Sequence, residues 1–174
     1  MATIEGERLV TVSVTKALTS ASAYAAEDVL SESATNAAGT AWTFSAIAKV
    51  DGGTGYIVKA QAICETTAVT PRLTLYLFNT TPTSELDDNA ANTALLHADL
   101  ANYVGKIDFP ALEDVGGDSE AVATPSTYGN LPLAFQCRNT ATVADDLIGI
   151  LVTRDVFTNT AGNDVTVTLT VEQY

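Results

Sequence analysis

The chain has 174 residues, 47% hydrophobic and 17% charged, and its 8 basic against 21 acidic side chains leave a net charge of −13. That length allows one domain with a proper core and is short for two, and the composition is that of a packed protein rather than a disordered one. A surface this acidic repels phosphate backbones and anionic lipid, so neither nucleic acid nor membrane is an expected partner; a neutral or basic protein surface remains, or a charge that only confers solubility.

The opening MATIEGERLV has neither the basic nor the apolar stretch of a secretory signal, and residues 1–8 read as an extended arm. The longest apolar run, Leu147 to Val152, is far too short to cross a bilayer, so a soluble protein made in a cytoplasm is expected. Behind the arm, Val10, Val12 and Val14 alternate with Thr11, Ser13 and Thr15, the signature of a half-buried strand. Ala17 to Ala41 is rich in small residues and reads as extended chain mixed with loop. A strand is predicted over Trp42 to Val50, with Trp42, Phe44, Ala46 and Ala48 on one face. The glycines of DGGTG then supply the positive φ of a hairpin turn. In the strand that follows, Tyr56, Val58, Ala60, Ala62 and Cys64 fall on one face and Ile57 and Ile63 on the other.

Leu73, Leu75 and Leu77 point away from Tyr76 and Phe78 in the next strand. Asp87 or Asp88 is placed to cap a short helix carrying Leu96, Leu100 and Val104 at helical spacing, and YVGKIDF returns to strand. Pro110 to Asn130, with three glycines and a proline among four acids, reads as a long loop. Leu131 to Cys137 and Leu147 to Arg154 follow, the latter apolar on both faces as a central strand should be. Val165, Val167, Leu169 and Val171 close the chain in alternation with three threonines. The sum is all-β: a jelly-roll-like antiparallel β-sandwich of about eight strands with one short helical insert. No internal repeat or linker divides it, so residues 1–174 are expected to form a single domain.

Chemistry is hard to find. His97 is the single histidine and sits in ALLHADL with no nucleophile motif around it; the G-x-S-x-G, H-E-x-x-H, C-x-x-C and Walker patterns do not occur. No enzyme activity, cofactor or nucleotide is expected, since the DGGTGY glycines lack a following helix to hold phosphate. Glu85, Asp87, Asp88 and Asp99, or Glu113, Asp114, Asp118 and Glu120, could gather around calcium, but the spacing that would specify such a site is absent and solvated loop charge or helix capping accounts for them. Cys64 and Cys137 lie in apolar strand patterns and read as buried, reduced thiols, with a disulfide as the alternative. Trp42, Tyr56 and Tyr76 read as core, although a sugar-binding platform is the other use for such rings. Asn79-Thr80-Thr81 fits the N-glycosylation pattern but, without a secretory signal, is expected to go unused.

The segments GGTGYIVKAQAI, RLTLYLFNTTPTSELDDNAANTALLHADLANYVGKIDF, LPLAFQC and DLIGILVTR, in that order from Gly52 to Arg154, resemble tailed-bacteriophage virion proteins of the capsid decoration, or head auxiliary, type. The resemblance implies a jelly-roll-like sandwich bound to the outer face of the capsid in the virion, contacting the major capsid protein, often as a homotrimer. The expected contact is the arm, around Ile4, Glu5, Glu7 and Arg8, adding a strand to a neighbour. A carbohydrate-binding sandwich of a phage tail or adhesin is the alternative. A small hydrolase is a third reading, against which the lone His97 argues.

Overall fold

A computed structural model describes residues 8–19, 23–35, 40–126, 130–138, 144–160 and 162–174. Its strands are, in chain order, β1 (Arg8–Ala17), β2 (Ala23–Tyr24), β3 (Val29–Leu30), β4 (Trp42–Phe44) and β5 (Thr54–Cys64). After β6 (Arg72–Phe78), a single 3₁₀ turn (His97–Asn102) leads into β7 (Tyr103–Ala111). The remainder are β8 (Glu113–Asp114), β9 (Ser119–Ala123), β10 (Leu133–Gln136), β11 (Leu147–Thr153), β12 (Phe157–Thr158) and β13 (Asp164–Gln173).

Eleven of these strands form an antiparallel two-sheet sandwich, and β2 and β12 pair separately with each other. The first sheet runs β1-β13-β5-β9-β8, with β10 beside the other end of β5; the second runs β3-β11-β6-β7, with β4 beside the other end of β11. The all-β expectation is met, with more and shorter strands than the eight counted from alternation. Between the sheets, Val165, Val167, Leu169 and Val171 of β13 meet Leu73, Leu75 and Leu77 of β6 and Leu147 and Leu151 of β11. Each fully buried aliphatic side chain contributes roughly 1.5–3 kcal/mol before chain entropy is subtracted. The outer face of β1 and β13 is polar: Ser13 and Thr168 hydroxyls meet at 2.8 Å, and Thr15 and Thr166 at 2.7 Å. Lys16 turns inward at the end of β1, pairing with Glu32 at 2.6 Å and lying 5.9 Å from the Trp42 ring centre. That pairing lets a lysine be buried.

β11 is buried along its whole length, as its two apolar faces require. Leu147 and Leu151 face the first sheet, while Ile148, Ile150 and Val152 join Val29, Ala41, Phe78 and Leu86 in a second core on the far side. Gly149 sits on the inward face, where a Cβ would come within 2.9 Å of Leu75 Cδ1 and 3.2 Å of Trp42 and Phe44. A side chain there would have to displace Leu75 and press on the Phe44 ring and the Trp42 Cβ.

Four expectations are corrected. The strand from Trp42 stops at Phe44, because Ala46 adopts a φ of 54° and the chain turns away. The DGGTG turn therefore closes no hairpin: β4 pairs with β11 and β5 with β13, and Gly52, at a φ of 69°, helps carry the chain from one sheet to the other. In β5, Thr170 of β13 lies opposite Lys59 but Val171 lies opposite Ile57, so Val58 is an extra, bulged residue. The bulge shifts the alternation: Ile57 goes inward with Ala60, Ala62 and Cys64, and Tyr56 is outside at 41% exposure. Finally, the stretch from Pro110 is not all loop, since β8 and β9 form a hairpin and β9 adds to the edge of β5.

Gly149→Val should lower the unfolding free energy by about 1–3 kcal/mol through overpacking. Urea unfolding followed by Trp42 fluorescence measures it, and an unchanged midpoint would show that the Leu75 and Trp42 contacts yield freely.

Candidate functional site

The largest departure from expectation lies over the second core. The short helix expected behind an Asp87 or Asp88 cap does not form: only His97–Asn102 coils, as 3₁₀, and no side chain caps it. Leu96 and Leu100, the intended apolar stripe, are exposed. The segment is instead an irregular layer stitched to the chain within and after β3: Val29 N donates to Ala90 O at 2.9 Å, Asn89 N to Val29 O at 2.9 Å and Asp88 N to Ser33 O at 2.7 Å.

Two buried carboxylates hold it. Asp99 accepts the Thr83 N–H at 2.8 Å and hydroxyl at 2.9 Å, and the Ser84 N–H at 3.0 Å and hydroxyl at 2.7 Å. Asp88 accepts the Tyr24 hydroxyl at 2.8 Å, the Ser31 N–H at 2.8 Å and the Thr19 hydroxyl at 2.9 Å. Burial works to raise the Asp99 pKa, but the Thr83 and Ser84 donors outweigh it and hold the carboxyl below its ordinary value. These acids are structural staples. Glu85 is occupied by the Leu86 and Asp87 N–H groups, both at 3.0 Å. In the second acidic group, Glu113 and Asp114 are exposed on the β8–β9 hairpin and Glu120 bonds Gln61. Among the described residues no three His, Cys, Asp or Glu side chains gather in a metal-binding cluster.

His97 is exposed at the start of the 3₁₀ turn. Cys64 and Cys137 are free and buried. Burial, reinforced by Asp118 and Glu65, pushes the Cys64 thiol up to about 11, and burial with Asp145 and Asp146 pushes Cys137 up to about 12. Neither is a nucleophile at neutral pH. Trp42 is 1% exposed, and its Nε1–H donates to Leu30 O at 2.8 Å, so it offers no stacking face. Tyr76 is half-buried against the second core. The exposed aromatic pair is one that alternation hid: Tyr56 and Tyr174 meet edge to face with centroids 5.9 Å apart.

What the structure leaves open is an edge. β1 ends its sheet, pairing with β13 on one side only among the described residues. Beside its first half runs a groove of about 480 Å³, bounded by Arg8, Val10 and Val12 on the strand and by Ala46, Lys49 and Asp145 opposite. Leu9, 65% exposed, shares the outer face with Tyr56 and Tyr174, because Leu9 lies opposite Glu172 and Glu172 opposite Tyr56. Of the contact residues expected from sequence, Arg8 is the first residue of β1, while Ile4, Glu5 and Glu7 lie outside the described residues. No family model and no curated protein matches this chain.

Asp99→Asn, which places an amide against the donors of Thr83 and Ser84, should cost about 1–3 kcal/mol in urea unfolding. Because the folded pKa of Asp99 is depressed, its contribution is complete above the unfolded value near 3.8 and is lost as pH falls through the lower folded value. Below that value the variant and the wild type should converge in stability; a constant difference down to the lowest pH would remove the carboxylate as the cause. Both thiols should react with Ellman's reagent only at the rate of unfolding, and immediate native-state labelling would show them open.

Proposed function

We propose that the protein is a non-enzymatic structural component of a phage virion, bound as a homotrimer to the outer surface of the capsid, where it bridges subunits of the major capsid protein and stiffens the shell. On this reading the chain is assembled in the cytoplasm of a bacterial host and its sandwich wraps as a jelly roll. The supporting observation is the β1 edge, paired on one side only among the described residues, with its groove beginning at Arg8. Long sheet edges are normally blunted by proline, bulges or outward lysines, because their unpaired N–H and C=O groups recruit other chains. β1 is ten residues long with no proline and no bulge in its pairing with β13, and the one lysine it turns inward, Lys16, lies near its far end, away from the groove. Such an edge suits strand addition, in which backbone hydrogen bonds give affinity and alternate side chains give register. The acidic surface serves the same role, since it does not compete for the genome during packaging.

The carbohydrate-binding alternative, a module of a tail or adhesin, draws support from Tyr56 and Tyr174 rather than from the buried Trp42. A glycan array separates the two readings: binding abolished by Tyr174→Ala would favour it over the shell.

Deleting residues 2–8 should reduce occupancy on expanded shells at least about tenfold, since several backbone hydrogen bonds of about 1 kcal/mol each would be lost. Occupancy is read by electron microscopy of the particles and trimer formation by light scattering. Truncated protein that decorates shells at the wild-type level would eliminate the arm as the contact.

A further inference from the structure

A second opening lies on the other sheet. Between β6 and β7 the ladder breaks: Arg72 lies opposite Ala111 but Leu73 opposite Phe109, leaving Pro110 as the extra residue. Proline has no N–H to give a ladder, and a bulge is where a strand tolerates it. Beside the interruption lies a cavity of about 440 Å³ whose lining includes Arg72, Lys106 and Arg154, the carboxylate of Asp108, and the exposed Pro110 and Ala111. Three of the chain's eight basic residues thus converge on one cavity of a protein with net charge −13.

Each cation is steered by a carboxylate of its own. Asp155 takes Arg72 Nε at 3.0 Å and Nη2 at 2.7 Å; Glu27 takes Arg154 Nη1 at 2.5 Å; Asp108 holds Lys106 Nζ at 3.0 Å. Asp108 is itself fixed by the Thr74 hydroxyl at 2.8 Å and the Asn130 amide at 3.0 Å. Asp155 is held down to about 2, chiefly by its Arg72 hydrogen bonds. These bonds use part of each donor set: Arg72 keeps its Nη1, Arg154 its Nε and Nη2, and Lys106 further ammonium hydrogens without a partner among the described residues. Heads fixed in place with unused donors are pre-organised for a further anion, because the rotamer entropy is already lost. The apolar wall makes the fit selective for an anion carried on an apolar body.

We infer that this cavity binds an acidic peptide segment, seating a glutamate or aspartate carboxylate between Arg72, Lys106 and Arg154 and a neighbouring apolar side chain on Pro110 and Ala111. The site is separate from the β1 edge and is present in the isolated protein, so it stands or falls independently of any role on a shell.

The test is titration of uniformly ¹⁵N-labelled full-length protein with Ac-Phe-Glu-Phe-NH₂ and with Ac-Phe-Gln-Phe-NH₂, followed by amide chemical shifts. The Glu peptide should shift Arg72 to Thr74 and Lys106, Asp108, Phe109 and Ala111 in a saturable, salt-sensitive way, and the Gln peptide at least about tenfold more weakly. Lys106→Gln should weaken the Glu peptide about tenfold while leaving resonances of the first sheet unchanged. Arg154→Gln serves as a second variant should the first perturb the fold. Equal binding of the two peptides, shifts confined to other surfaces, no shift by about 10 mM peptide, or tighter binding of phenyl phosphate than of the Glu peptide would each overturn the assignment.

Discussion

A strand that is apolar on both faces has to be covered twice, and β11 imposes that requirement on the whole molecule. The first sheet covers one face with β5 and β13. The other face is covered by a stretch of chain with almost no regular structure, and irregular chain can sit over a core only if its backbone groups find partners. Asp88 and Asp99 meet much of that demand. Asp88 gathers donors from three segments, at Thr19, Tyr24 and Ser31, and Asp99 takes both the N–H and the hydroxyl of the neighbouring Thr83 and Ser84. The second core formed by Phe78, Leu86, Ile148 and Ile150 therefore depends on two acids as much as on its hydrophobic residues.

The same acids show where a linear reading fails. Asp87, Asp88 and the leucines at three- and four-residue spacing satisfy the rules for a capped helix, yet tertiary hydrogen bonding to Tyr24 and Ser31 outcompetes a local cap. Alternation was legible where a strand has one wet face and no irregularity, as in β1 and β13, and double-sided burial was legible in the continuous apolar run of β11. One bulged residue, Val58, was enough to reverse the faces of Tyr56 and Ile57 and so to conceal the exposed tyrosine pair. Bulges leave no composition mark when the extra residue is itself a good strand former. Pro110 is the converse case, a proline inside strand pattern that marks an interrupted ladder.

Of the candidate contact residues, only Arg8 falls where a neighbour could be followed in atomic terms; the groove opposite it comes from Ala46, Lys49 and Asp145, distant in sequence and brought alongside by the β4 and β11 pairing. The convergence of Arg72, Lys106 and Arg154 is of the same kind, since three elements separated by dozens of residues are joined only by sheet register. Spacing along a chain holds no trace of such sites. Charge totals do limit them: with so few cations, any local concentration stands out once the fold is known.

The antiparallel match of β1 with β13 sets Arg8 against Gln173 and Ala17 against Asp164, so the start of β1 and the end of β13 lie at one corner. Mechanically the two strands then respond to force in opposite ways. Tension between the termini peels β1 away one residue pair at a time, whereas tension drawing β1 along its own axis loads the ten paired residues together in shear. A tether attached through the N-terminal end and pulling in that second direction would be far harder to extract than the size of the contact suggests.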